Sequence, residues 1–559
     1  MGRLEKGWPM TVFTSARCLL FHVAVTAGVT WGTVAVMDKF LSTQLAFSSR
    51  ESVVGVSLFY TALSLSGLIG GIYSDARTGT YQAQLIAYGL MIPGTLLLLL
   101  TTLLSGVALT RVVGIVGLAL DAAGVGLMLP CVATFMGDQQ HQGQQEHQKH
   151  GAVPVAEEDE NATHRRSSSA DRSSGPARND HDALVSDGDT AATGSSAGGS
   201  GEAFASYYLW ANVGALLGES GCPTAREHIS FSVVWSLLAL AQVLGLVAFR
   251  HGRHEYVRLT PNRAESNSDV TNDSNGRGHG EWRPFYCPLA LSALEVEDLR
   301  WIALVLAPMP FFWALYYQQA STWVMQTEHL DQTLIWNTPD ILPAFNDLCV
   351  VLLIPIFQRV VYPSAARCSS GTSSNRGLVG CGSALGRMAW GMGSLIGAFA
   401  LAAWLQAAID TRKRHGEDKL GVIWQMPQYL LLSVSEVMVA VTGLTFVYDE
   451  VEASLHATME AVWVGCQMGQ LFCGVISMAS PTLLDTLEVS TVLMAGTTLV
   501  FVFLGRQYVR KADRRFIPSS SSSYDDSAAT TGSPLASLLV GGGTEETRRR
   551  GEGQQRAVV

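Results

Sequence analysis

Glu436 lies in the middle of the apolar run 424–447, and Asp121 and Asp347 fall within the runs 111–136 and 340–362. His22 falls inside another such run, 14–37. An isolated charge at the centre of a membrane helix costs about 2.5–3.5 kcal/mol on insertion scales. Glu436 therefore calls for a cavity with a cationic partner, or for a proton. A neutral glutamic acid used only in packing is the competing reading. Asp121, Asp347 and His22 are candidate proton-coupling residues on the same grounds, set against neutral groups hydrogen-bonded to a neighbouring helix.

Residues 311–323 read FFWALYYQQASTW and lie within the apolar run from Trp301 to Met325. Gln318, Gln319, Ser321 and Thr322 would lose their hydrogen bonds to water if they faced lipid. They belong on a bundle interior or in a wet cavity. Together with Trp313, Tyr316 and Tyr317 they describe the wall of a polar path, or else interhelical glue.

The elements that must position these residues follow from composition. The chain has 559 residues, 48% hydrophobic and only 15% charged, which is low in charge for a soluble protein of this size. Its apolar residues come in blocks near the roughly 20 residues that span a bilayer. Twelve spans are expected: 14–37, 53–73, 83–104, 111–136, 204–220, 229–249, 301–325, 340–362, 385–410, 424–447, 457–480 and 486–507. The expected fold is all-α, a polytopic membrane protein with twelve transmembrane helices in two six-helix halves. The first run lacks a small-residue cleavage site and reads as a retained anchor. The nine cysteines are scattered without paired spacing, so neither a disulfide frame nor a metal site is read. No nucleophile–base constellation has useful spacing, so an enzyme is not expected, nor is a cofactor. The expected partners are a small-molecule substrate and the lipid bilayer, with no nucleic acid; the sequence identifies no protein partner.

The expected organisation is helices one to four over 1–137, a disordered cytoplasmic insertion at 138–202, and helices five and six over 203–249. A cytoplasmic linker at 250–300, helices seven to twelve over 301–508 and a disordered cytoplasmic tail at 509–559 complete it. The insertion is rich in Gln, Ser, Gly, Asp and His, a composition that cannot bury a core. Its His141, His147 and His150 read as solvated rather than metal-binding. Basic residues orient the chain. Arg250, Arg253, Arg258, Arg263, Arg277 and Arg283 in the linker, and Arg506, Arg510, Lys511, Arg514 and Arg515 after the last span, put both termini in the cytoplasm. Arg412, Lys413 and Arg414, which this topology puts outside, are the exception. The sequons at Asn161 and Asn272 fall on the cytoplasmic side and are expected to stay unmodified. Either the plasma membrane or an endolysosomal membrane fits. Leu538-Leu539 lacks the acidic residue four positions earlier that a sorting signal needs.

Several segments carry a resemblance. Gly71, Asp75 and Gly79 have the G-x-x-x-D-x-x-x-G spacing that resembles the loop signature of the major facilitator superfamily. The segments GLMLPCVATFMGDQ (126–139), YLWANVGAL (208–216), FFWALYYQQASTW, and WQMPQY (424–429) with Ser435-Glu436 and Thr442-Gly443-Leu444 resemble blocks of the proton-dependent oligopeptide transporter family. This resemblance covers about residues 20–510 apart from the polar insertions, and marks a divergent member. It implies two helical halves rocking about a midplane site. It also implies that Glu436 holds a peptide amino terminus and that Asn212 and Asn346 hydrogen-bond the peptide backbone. Trp313 and Trp463 match cavity aromatics, and Tyr317 and Gln318 join them as candidate binding residues.

Departures from the family pattern are physically coupled. Val23 to Trp31 stands where the family carries E-x-x-E-R-F-x-Y-Y, so both glutamates and the arginine are missing. A further cavity arginine corresponds to Val34, the span-four lysine to Leu129, and a peptide-facing tyrosine to Ser64. The acid before Gln-Gln in span seven is Tyr317. In the family that acid and the first-helix arginine form a gate salt bridge. Losing one partner alone would strand a buried charge at about 3–5 kcal/mol, and here both are gone. The expected function is secondary transport of small amine-bearing solutes, di- and tripeptides foremost, by alternating access, with a proton as the possible coupling ion. Alternatives are a facilitator or carrier of another metabolite with coupling lost, or a non-transporting membrane sensor.

Overall fold

The structure, a computed structural model, describes residues 10–151, 199–258, 293–335, 341–369, 383–472, 476 and 480–516. The sequons, Arg263, Arg277, Arg283, Leu538-Leu539, and the side chains of His141, His147, His150, Arg514 and Arg515 lie outside the described residues.

Regular structure among the described residues is helical, apart from one parallel bridge between Asp331 and Gly421. The N-terminal helices are α1 (Met10–Lys39), α2 (Ser49–Tyr73), α3 (Gly79–Thr101), α4 (Val107–Gly151), α5 (Gly199–His228) and α6 (Phe231–His251). After them come α7 (Ala293–Leu306), α8 (Met309–Tyr316), α9 (Thr322–Thr327), α10 (Pro343–Ile356), α11 (Tyr362–Ser369) and α12 (Ala384–His415). The chain continues through α13 (Met426–Glu436), α14 (Thr442–Asp449), α15 (His456–Gly465) and α16 (Leu483–Phe516). Local chemistry sets several ends. Ser48 and Glu51 form a capping box at the start of α2, and Ser230 and Ser383 cap α6 and α12. Pro308 and Pro310 break the expected seventh span into α7 and α8, because proline supplies no donor to the helix ladder.

Nine stretches of the described residues are long and apolar enough to cross a membrane. One of them, Val54–Thr101, has 48 residues and would be about 70 Å long as a straight helix, well over the roughly 30 Å hydrocarbon core. It is interrupted by a π turn at Ser74–Thr78 and by Gly79 at φ 72°, a left-handed angle that only glycine adopts freely.

Buried apolar residues form two main cores. Leu19, Phe59, Tyr81, Met128, Trp235 and Phe249 belong to one, built over α1–α6. Ile302, Trp323, Met388, Phe399, Tyr429 and Phe501 belong to the other, built mainly over α7–α16 and joined by Ala133 of α4 and Phe204 of α5. Within the first unit, α1 and α5 meet through glycines. A Cβ on Gly214 would strike the Ala24 carbonyl, and one on Gly218 the Gly28 carbonyl. Small residues four apart on both helices let the backbones touch, as in membrane helix pairs generally.

Three boundaries differ from the sequence expectation. Residues 138–151, expected to open the disordered insertion, continue α4, because Gln, Glu and Lys are good helix formers and no proline intervenes before Pro154. The start of the 250–300 linker is held in place: the Gln139 side-chain amide donates to the Val257 carbonyl and accepts from the Val257 amide, and the Arg258 guanidinium lies 4.0 Å from the Tyr81 ring centroid. Its end is already helical from Ala293. Residues 509–516, expected to begin the tail, extend α16, where Lys511 pairs with Glu297 at 2.8 Å. The exceptional Arg412–Lys413–Arg414 cluster ends α12, where cations complement the helix dipole, and Arg412 meets Glu417 at 3.4 Å.

Candidate functional site

Helix α13 delivers Glu436 as its last residue, immediately before a π turn over Val437–Val441. π turns inside helices occur frequently at functional sites. The carboxylate is 4% exposed and takes three neutral donors. Tyr208 of α5 donates to Oε1 at 2.5 Å; Tyr316 of α8 and Asn346 of α10 donate to Oε2, each at 2.6 Å. Asn346 is oriented in turn by Ser433, whose hydroxyl donates to Oδ1 at 2.7 Å. Elements of both helical units thus converge on one acid. Asn212 sits one turn beyond Tyr208 on α5 and donates to the Tyr208 carbonyl at 2.8 Å.

Asp347 is next to Asn346 and 7% exposed, and its Oδ2 is buried without a hydrogen-bond partner. It interacts electrostatically with Glu436 and with Glu219 of α5, which itself acts on Glu436. Aromatic rings border this group of acids. Trp313 packs edge-on against Tyr316 at 5.2 Å and lies 6.1 Å from Trp463. Tyr317 stands 5.7 Å from Tyr60 and 6.3 Å from Trp31, both in the N-terminal unit, and its hydroxyl donates to Gln467 at 3.2 Å. An aromatic contact between the units therefore occupies the position of the family's acid.

One end of the bundle is latched. Asp75 accepts hydrogen bonds from the Ala457 amide (3.3 Å), the Thr458 amide (2.6 Å) and the Thr458 hydroxyl (2.7 Å), at the N-terminus of α15. Those amides have no partner within their own helix, and the helix dipole favours an anion there. A Cβ on Gly71 would run into the Ala457 carbonyl, so the glycine lets α2 lie against α15. Gly79 supplies the left-handed angle after the π turn. Nearby, Asp138 of α4 accepts from Tyr448 at 2.8 Å and meets His456 at 3.4 Å.

The remaining sequence candidates lie elsewhere. Gln318 is fully buried and bonds Ser490 of α16 at 3.0 Å, tying two helices of the C-terminal unit together. Asp121, also fully buried, accepts from Thr95 at 3.4 Å, and Thr95 accepts from Gln242 at 2.8 Å. His22 fits between Tyr88 and Gln84, each at 2.8 Å, and stacks on Phe249. With the Gln84 carbonyl accepting and the Tyr88 hydroxyl donating, a neutral imidazole is satisfied there. Asp121 and His22 share no hydrogen-bond partner with Glu436.

Sequence reasoning passed over Tyr208, Glu219 and Glu460 and gave Tyr316 no part in binding. Glu460 of α15 is fully buried, with both oxygens unpartnered, close to Tyr207 and Asp449. Its place inside the expected span 457–480 was a signal of the same kind as that of Glu436.

A buried acid held between two helical units, in a chain of long apolar helices, defines a multi-pass membrane protein built around a polar centre. The sequence model of the POT family matches residues 81–271 and 291–498, and the chain belongs to that family. It is 22% identical to "Peptide transporter family 1" of Drosophila melanogaster over 60% of this chain and 42% of that protein. It is 24% identical to "Solute carrier family 15 member 2" of Mus musculus over 68% of this chain and 47% of that protein. The chain thus spans less than half the length of these relatives. The crystal structure of the POT family transporter PepTSo superposes with a TM-score of 0.61 at 19% identity, covering 90% of this chain and 99% of that one. The fold is accordingly that of the POT transporters, of the major facilitator type.

Proposed function

We propose that the chain is a secondary transporter of small amine-bearing solutes, di- and tripeptides foremost, working by alternating access. The observation that carries this reading is Glu436, a buried acid between the two units whose three hydrogen-bond partners are all neutral. An ammonium group entering there would meet an anion that no basic side chain has claimed. Asn346 and Asn212 would hold the amide groups, and Trp313, Trp463 and Tyr317 would wall the pocket. Twelve spans follow if the two helices of Val54–Thr101 count separately and α5 and α15 also cross. Both termini and the Asp75 latch would then face the cytoplasm, at the plasma membrane or an endolysosomal membrane. No resident cofactor is invoked.

Asp347 is the proton-coupling candidate that lies beside Glu436, and a proton is the proposed coupling ion. The second reading, an uncoupled facilitator, is favoured by Tyr317, which carries no titratable acid at the family's gate position. Uptake of di- and tripeptides into proteoliposomes, with and without an inward proton gradient, separates the two. Uptake that ignores the gradient removes symport. Amine binding that survives Glu436→Gln intact removes the site assignment.

A further inference from the structure

The acids around Glu436 outnumber what one peptide amino terminus requires. Asp347 follows Asn346, which bonds Glu436 at 2.6 Å, and its Oδ2 is buried with no hydrogen-bond partner; Glu219 of α5 acts on it electrostatically. The groups acting on Glu219, Asp347 and Glu436 are other acids and neutral donors, with no lysine or arginine among them. The surrounding surface is also cation-seeking. The rings of Trp313, Tyr316 and Tyr317 pack together beside Glu436, to which Tyr316 donates, and aromatic faces attract ammonium and guanidinium groups.

A separate feature points to a bound solute. Trp313 is 3% exposed and its Nε1 donor has no partner, although it lies between Tyr316 and Tyr317 at ring distances of 5.2 and 5.9 Å. A buried indole N–H usually finds an acceptor, and a solute carbonyl or carboxylate would supply one.

We propose that this site selects solutes bearing two positive charges, such as dipeptides with a lysine or arginine side chain, with Glu436 taking one charge and the Asp347–Glu219 pair the other. This rests on the reading of Glu436 as the amine site and adds the second cationic subsite to it. The acceptor end of the solute is left to neutral donors, Trp313 first among them. An acidic side chain on the solute would face like charge, which a recognition surface disfavours.

Uptake by the full chain in proteoliposomes, measured for Lys-Ala, Ala-Ala and Ala-Glu, tests this. Lys-Ala is expected to exceed Ala-Ala by about tenfold in kcat/KM, the size of one modest charge contact, with Ala-Glu weakest. Asp347→Asn and Glu219→Gln, near-isosteric neutralisations, should each bring the Lys-Ala to Ala-Ala ratio of kcat/KM toward one. Glu219→Gln should leave Ala-Ala itself little changed, whereas Asp347→Asn also removes the proposed proton site and lowers both rates. Equal handling of Lys-Ala and Ala-Ala overturns the proposal and leaves the amine site standing. So does a preference that persists when both acids are neutralised. If none of the three peptides is carried, the transport reading fails with it.

Discussion

Tyr208 and Glu436 join the two helical units, hydroxyl to carboxylate at 2.5 Å. Each unit contributes a donor to the same acid, since Tyr316 answers from the other side at 2.6 Å. Any solute that recruits Glu436 must therefore compete with bonds that hold the units together, which couples binding to their relative position.

Tyr208→Phe removes the donor contributed by α5 and leaves Oε1 without it. Stability should fall by about 1–3 kcal/mol, the cost of stranding a buried acceptor. Thermal unfolding of the detergent-solubilised protein measures this. An unchanged midpoint would mean that the contact contributes nothing.

Asp75→Ala should open the latch. The amides of Ala457 and Thr458 lose their acceptor, and hydrogen exchange at these two positions should rise well above that of the α15 interior. The cap itself is worth about 1 kcal/mol. Asp75→Asn, which keeps an acceptor, should give an intermediate rate.

Gly214→Ala and Gly71→Ala should separate folding from gating. The first forces α1 off α5 within one unit and should lower the unfolding midpoint, at about 1–3 kcal/mol for overpacking. The second forces α2 off α15 between units, so uptake should drop while the midpoint changes little.

Tyr317→Phe keeps the ring contacts with Tyr60 and Trp31 and should retain uptake. Tyr317→Glu restores the family acid without its arginine. It should cost about 3–5 kcal/mol if the carboxylate stays charged, seen as loss of monodisperse protein on size exclusion.

Much of this was legible in the sequence because bilayer thickness is written into run length. The break between α7 and α8 was not read, although Pro308 and Pro310 carry its signal. Glu436 stood out because a charge in mid-span needs a reason. Its partners did not, since Tyr208 lies 228 residues away and only the fold brings the two together. Glu219 was missed because it falls at the edge of the run 204–220, where an acid reads as the start of a loop. Gln318 is the kind of residue that composition leaves open between a cavity wall and interhelical glue. Its amide satisfies Ser490 within one unit. Residues 138–151 were misread because their polarity signals disorder while their helix propensity prolongs α4.

The latch at Asp75 is lopsided in what it asks of its two sides. Two of its three bonds end on main-chain amides, at Ala457 and Thr458, which every non-proline residue supplies. Sequence drift along the start of α15 can therefore leave the lock intact, provided the helix still begins there. The other side has no such tolerance, because the acceptor is a single side chain. A lineage could rewrite one face of this closure freely and lose it through one substitution on the other.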